Sequence, residues 1–161
     1  MTHKGALTTL LLAGSLAAAA PATAAPPPLI PRDILFGNPE RAAPQISPDG
    51  KHLAWLAPDK KNVLQVWVKA IGHDDDKMVT ADKHRGIHRY FWAEDNHTLL
   101  YLQDADGDEN WHVYGVDLGA GTVRDYTPFQ GVNAQVVDVS PKLRNTILVG
   151  LNIRDKRLHD V

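Results

Sequence analysis

Gln45-Ile46-Ser47-Pro48-Asp49-Gly50-Lys51-His52-Leu53-Ala54-Trp55-Leu56 is the stretch on which the fold turns. It reads as strand, tight turn, strand. Pro presets φ at the first turn position, Asp bonds back to the backbone, and Gly takes the positive φ that side chains resist. In the strand that follows, Leu53 and Trp55 point to one face and Ala54 and Leu56 to the other, so both faces are apolar. A small antiparallel sheet covered on both sides is expected where sheets stack face to face around a ring.

The turn has echoes. Ala93-Glu94-Asp95-Asn96 follows 46 residues on, and Ser140-Pro141-Lys142-Leu143 a further 47 on. Each is preceded by an apolar strand end (Ile46, Trp92, Val139) and followed by an apolar run (Leu53 to Leu56, Leu99 to Leu102, Ile147 to Leu151). A third strand recurs at the same spacing, Leu64 to Val68 against Trp111 to Val116, with Trp67 and Tyr114 in register. A short fourth strand places Met78-Val79-Thr80 against Asp125-Tyr126-Thr127. Four short antiparallel strands per repeat of this length describe a propeller blade. The expected fold is therefore all-β, an incomplete β-propeller of four-stranded antiparallel blades, at about residues 43–82 and 88–129, with a truncated third at 134–161. Two blades and part of a third do not close a ring, so the chain reads as a piece of a longer protein with open sheet edges. Residues 26–161 alone are expected to be aggregation-prone or only partly folded, because strands such as Ile147 to Leu151 lack a partner blade.

Ahead of the repeats, residues 1–24 have the form of an export signal: Lys4 in the charged region, an apolar run from Leu7 to Ala20, and Ala22-Thr23-Ala24 as the cleavage pattern. An exported protein, periplasmic or secreted, is expected, with no membrane attachment after cleavage. Residues 25–42 form a Pro-rich lead-in and one or two helical turns at Pro31 to Phe36, stopped by Gly37 and Pro39. The net charge is −2, and loss of Lys4 leaves 16 basic against 19 acidic side chains. That balance, with scattered basic residues, gives no footprint for nucleic acid. The absence of cysteine excludes disulfides, thiolate catalysis and Cys-ligated zinc.

With those residues in view, the chain from about Ile30 onward resembles the N-terminal propeller of the prolyl oligopeptidase (S9) family of serine peptidases, in its dipeptidyl-aminopeptidase and acylaminoacyl-peptidase-like branch. The resemblance rests on Leu35-Phe36-Gly37-Asn38-Pro39, on Ser47 to Lys51 with Ala54-Trp55, on Asp106-Gly107-Asp108-Glu109-Asn110-Trp111-His112-Val113-Tyr114, and on Asn152-Ile153-Arg154-Asp155 leading to Asp160-Val161. It implies a parent protein in which the propeller gates peptide substrates for a C-terminal α/β-hydrolase domain with a Ser-Asp-His triad. The mature chain has two serines, Ser47 and Ser140, both in turns, and no Gly-x-Ser-x-Gly elbow. No catalytic residue and no cofactor are expected in it. A periplasmic TolB-like protein-binding module is the alternative.

Asp104-Ala105-Asp106-Gly107-Asp108-Glu109-Asn110 is the most concentrated polar stretch. Its alternating aspartates resemble a calcium loop, but Glu109 stands where glycine is needed and Gly115 where a bidentate Glu is needed. It reads as a solvated hairpin loop or a recognition loop. In a four-stranded meander this loop shares an end with the inter-blade segment Lys83 to Arg89, so Asp108, Glu109 and Asn110 with Arg85 and Arg89 are the expected substrate- or domain-docking residues. His84 and His88 lack the acidic partner of a metal-binding helix, and no metal site is expected. Asp74-Asp75-Asp76 reads as a solvated turn at the other end. Trp55, Trp67, Trp92, Trp111 and Tyr114 read as filler between blades.

Overall fold

A computed structural model describes residues 27–161; the expected export segment lies outside the described residues. Residues 27–31 carry no regular structure, and the helix α1 (Arg32–Phe36) is one exposed turn closed by Gly37, whose N–H donates to the Asp33 carbonyl at 2.9 Å. Everything after it is antiparallel β. β1 (Ala42–Ile46), β2 (His52–Pro58), β3 (Leu64–Ala70) and β4 (Lys77–Met78) form one sheet in chain order. β5 (Arg89–Trp92), β6 (Thr98–Gln103), β7 (His112–Asp117) and β8 (Val123–Asp125) form a second, also in chain order. β9 (Ala134–Val139), β10 (Ile147–Asp155) and β11 (Leu158–Asp160) form the third, of three strands. These are two propeller blades and part of another.

The opening hairpin is built as its residues demand. Gly50 has φ +73°, its N–H donates to the Ser47 carbonyl at 2.8 Å, and the Asp49 carboxylate accepts from Ser47 Oγ at 2.7 Å and from the Lys51 N–H at 3.1 Å. Those bonds, the Ser47 hydroxyl first, hold the Asp49 carboxyl below its ordinary range. In the second blade Asn96, φ +72°, takes the glycine's place, as asparagine can. There Asp95 is opposed by burial, yet bonds from Thr98 and His97 together hold its carboxyl low.

Packing follows the two-sided pattern, with one difference. Ala54, Leu56, Val66 and Val68 of the first blade pack against Tyr90, Trp92, Leu99, Tyr101 and Val116 of the second. The second blade turns its other face, with Leu100, Leu102 and Val113, to Ala134 of the third and to the half-buried Val136, Ile147 and Val149. The remaining face of the first blade is covered differently: Trp55, 3% exposed, lies opposite Trp67, with the Arg41 guanidinium 4.9 Å from its ring centroid. A cation over an indole covers an apolar face that a blade covers elsewhere. Burying a side chain such as Leu99 contributes about 1.5–3 kcal/mol, so these two inter-blade cores dominate stability. The inner strands are also stitched directly: Gln45 Nε2 donates to the Tyr90 carbonyl at 2.9 Å, Trp92 Nε1 to the Gln45 carbonyl at 3.3 Å, and the Tyr90 hydroxyl to the Ala43 carbonyl.

Candidate functional site at the acidic-loop end

In this topology the β2–β3, β6–β7 and β10–β11 turns and the inter-blade segments all emerge at one end. The acidic loop and residues 83–89 meet there. Their contact is made by His84 Nδ1 and Asp106 Oδ1, 2.8 Å apart, and by Gln103 Nε2, which donates to Asp82. Arg85 lies across Gly107, where an added Cβ would come 2.7 Å from its Nη1. Among the described residues no ion pair joins Arg85 or Arg89 to Asp108 or Glu109; the segments are neighbours, but the pair that forms is His84–Asp106.

The loop is shaped by its own backbone. Asp106, Gly107 and Glu109 have φ of +53°, +93° and +60°, a left-handed run that only local bonding sustains at the non-glycine positions. Asp108 supplies part of it, accepting from the Ala105 N–H at 3.2 Å, the Asn110 N–H at 3.1 Å and Asn110 Nδ2 at 3.0 Å; the Asn110 bonds hold its carboxyl low. Asp104, 7% exposed, accepts the Glu109 N–H at 3.2 Å. The Glu109 carbonyl accepts from Asn133 Nδ2 at 2.7 Å, which ties the loop to the third blade. Asn133 is fixed in turn by the Asn152 Oδ1, 2.6 Å from its N–H. The backbone of Glu109 is thus held at both ends while its carboxylate, exposed, makes no hydrogen bond or ion pair among the described residues. Asp108 and Asn110 are turned inward to the loop, and Arg85 and Arg89 are exposed.

The three alternating aspartates do not converge. Each serves a different partner, and no group of three or more His, Cys, Asp or Glu side chains is placed to hold a metal among the described residues. His88 Nε2 lies 3.0 Å from the Arg85 carbonyl, whereas His84 engages Asp106. Trp111, beside the loop, packs into the core between the second and third blades.

Beneath this end lies a polar layer that reading the sequence missed. Gln65 is fully buried. Its Oε1 accepts from Thr80 Oγ1 at 2.8 Å and from the Asp82 N–H at 3.1 Å, and its Nε2 donates to the Asp82 carbonyl at 2.7 Å. Asp82 accepts from the Gly86 N–H, which pins the inter-blade segment. The only available signal was that 47 residues on from Gln65 stands another polar residue, His112, where an apolar one would have been ordinary. A polar recess of about 400 Å³ opens here, lined by Asp82, His84, Asp104, Asp106 and Tyr114. Tyr114 stacks on Tyr101 with centroids 5.5 Å apart. Burial first, then neighbouring Tyr114, Asp82 and Asp125, pushes the Tyr101 phenol up to about 12.

The dipeptidyl aminopeptidase BIII of Pseudoxanthomonas mexicana is 49% identical over 172 aligned positions that cover 100% of this chain and 25% of that protein. The chain therefore spans about a quarter of that relative's length. Among solved structures, the β-propeller domain of the Trilobed protease from Pyrococcus furiosus superposes with a TM-score of 0.51 at 23% identity, over 69% of this chain and 34% of that one. TolB from Acinetobacter baumannii gives a TM-score of 0.51 at 16% identity, over 71% of this chain and 27% of that one. At those identities the two structures establish the fold. No protein-family model matches the chain.

Proposed function

We propose that the chain is the non-catalytic β-propeller portion of an exported serine peptidase of the prolyl oligopeptidase (S9) family. In this reading it gates and docks peptide substrates for an α/β-hydrolase domain elsewhere in the longer protein. The observation that carries it is the 49% identity, sustained over the whole chain, to a protein named as a dipeptidyl aminopeptidase. The export pattern of residues 1–24 supports the exported half of the reading.

The acidic-loop end is the docking surface in this proposal. Glu109 is its central residue, because its backbone is fixed by Asp104 and Asn133 while its carboxylate stays available to the amino terminus of a peptide. Arg85, which lies against Gly107, and Arg89 are exposed cations at the same end, and Asp108 and Asn110 hold the loop's shape.

A fluorophosphonate probe tests the reading. The full-length protein should be labelled on a serine outside these 161 residues and the isolated chain should stay unlabelled; an unlabelled full-length protein without peptidase activity would overturn it. Glu109→Lys in the full-length enzyme should raise KM for peptides with a free amino terminus about tenfold, equivalent to about 1.4 kcal/mol. Unchanged KM and kcat would remove Glu109 from the docking role.

A further inference from the structure

The two inter-blade grooves at the opposite end, where the β1–β2, β3–β4, β5–β6, β7–β8 and β9–β10 turns lie, are repeats of each other in different states. Between the first and second blades the groove measures about 280 Å³ and is closed by the β7–β8 turn, Leu118 and Gly119. Lys77 of β4 reaches across it, and its Nζ donates to the Leu118 carbonyl at 3.3 Å. The Leu118 N–H donates to the His97 carbonyl at 2.9 Å, just as the Ile71 N–H donates to the Lys51 carbonyl at 2.8 Å one repeat earlier. The turn is therefore a standard part of each blade, and Lys77 is the hook by which the preceding blade holds it.

Between the second and third blades the groove measures about 450 Å³. Its hook position is Arg124, 47 residues after Lys77. The backbone settings match: Lys77 is paired with Val68, and Arg124 with Gly115, again 47 residues apart. Arg124 is preset, with its guanidinium 5.2 Å from the centroid of the Tyr126 ring. Arg144 and Asn145 come in from the β9–β10 turn, as Asn96 and His97 do in the first groove. What has no counterpart among the described residues is the turn itself, since the position one repeat after Leu118 falls past Val161.

We propose that Arg124 is the hook for the turn joining the third and fourth strands of the third blade, donating to its backbone carbonyl as Lys77 donates to Leu118. The occupant is the polypeptide that follows Val161 in the longer protein, so the proposal rests on the reading of the chain as part of one. The groove is a blade-docking notch, and the guanidinium's two-pronged donor set fits a carbonyl at the rim of a turn.

Hydrogen exchange followed by mass spectrometry on the full-length protein tests it, with Arg124→Met, Lys77→Met and Arg124→Lys alongside the parent. Arg124→Met should speed exchange in the turn one repeat after Leu118 about tenfold and leave the Leu118 turn as it was; Lys77→Met should do the reverse. Arg124→Lys should keep the third-blade turn protected, because lysine does this work at position 77; Arg124→Ala, which also lacks a donor, should speed exchange there like Arg124→Met and is read in its place if Arg124→Met fails to fold. Exchange in that turn indifferent to removal of the donor at 124 overturns the proposal, as does loss of protection in Arg124→Lys or a dimer in which a second copy fills the groove. Fluorophosphonate labelling of the same preparations separates the two readings: an unlabelled protein with an Arg124-dependent turn retains the hook and loses the peptidase, and a labelled protein with an indifferent turn does the opposite.

Discussion

The first and second blades share a backbone plan and differ in how they fill it. Ala54 stands opposite Val68 in the first blade, and Leu100 stands opposite Gly115 at the matching positions of the second. The large residue has changed strands. An added Cβ at Gly115 would fall 2.6 Å from Tyr126 Cε2 and 3.1 Å from Leu100 Cδ2, so the space that Val68 fills in one blade is taken by Leu100 and Tyr126 in the other. Repetition here conserves volume and hydrogen bonding rather than residue identity, which follows from close packing: a layer of fixed thickness tolerates a swap across it more readily than a change in its sum.

The sharpest way to break that comparison is at this pair. Leu100→Ala, at a position 2% exposed, should cost about 2–5 kcal/mol. Gly115→Val alone should destabilise by about 1–3 kcal/mol through overpacking. Together, Leu100→Ala and Gly115→Val restore the first blade's Ala–Val pair, with Tyr126 still standing where that blade has Val79, and by removing the Leu100 side of the clash should cost less than the sum, measured as a double-mutant cycle in urea midpoints. Strict additivity would mean that the two blades do not share a volume rule.

A second test concerns what the blades have in common. Thr80 and Thr127, each 3% exposed, accept the Val66 and Val113 N–H groups on their Oγ1 at 2.9 Å, each across a gap of 14 residues. Threonine to valine at either site orphans a buried N–H and should cost about 1–3 kcal/mol. Thr80→Val should be the worse of the two, because Thr80 also donates to Gln65; amide exchange at Val66 and Val113 reads the effect blade by blade. Equal losses would reduce Gln65 to filler.

The smallest expected effect separates the blades by pH. Trp55 of the first blade is matched in the second by Tyr101, whose phenol is held up to about 12 chiefly by burial. The neutral phenol is the form the fold prefers, so its contribution is complete below about pH 10, the unfolded value. It is lost as pH rises from there through about 12. Tryptophan fluorescence should report alkaline loosening in that window, and Tyr101→Phe should move its onset upward. An onset unmoved by the substitution would shift the cause to the other raised phenols, Tyr90 and Tyr114.

Much of this was legible in the chain. Ser47-Pro48-Asp49-Gly50, its echoes at 93 and 140, and the alternation after each turn carry the strand order and the family of folds, because turn chemistry and period-2 patterning act over a few residues. The meeting of the acidic loop with residues 83–89 was legible from topology alone. Its partners were not, since which side chains pair depends on backbone angles such as the φ of +60° at Glu109, which no sequence rule assigns to a glutamate. Arg85 lies against Gly107, and among the described residues neither it nor Arg89 forms an ion pair with Asp108 or Glu109; the ion pair that forms joins the shorter His84 to Asp106.

The sequence by itself determined the blades, their order and their number of strands, through local propensity repeated at a fixed spacing. Only the tertiary structure decided what covers each face and what lies buried beneath the loops. Arg41 over Trp55, the Gln65 layer and the Asn133–Asn152 tie join residues 14, 15 to 17, and 19 positions apart. Such contacts are set by the stacking of one sheet on another and by the need of every buried polar group for a partner, and neither is written in any single stretch of the chain.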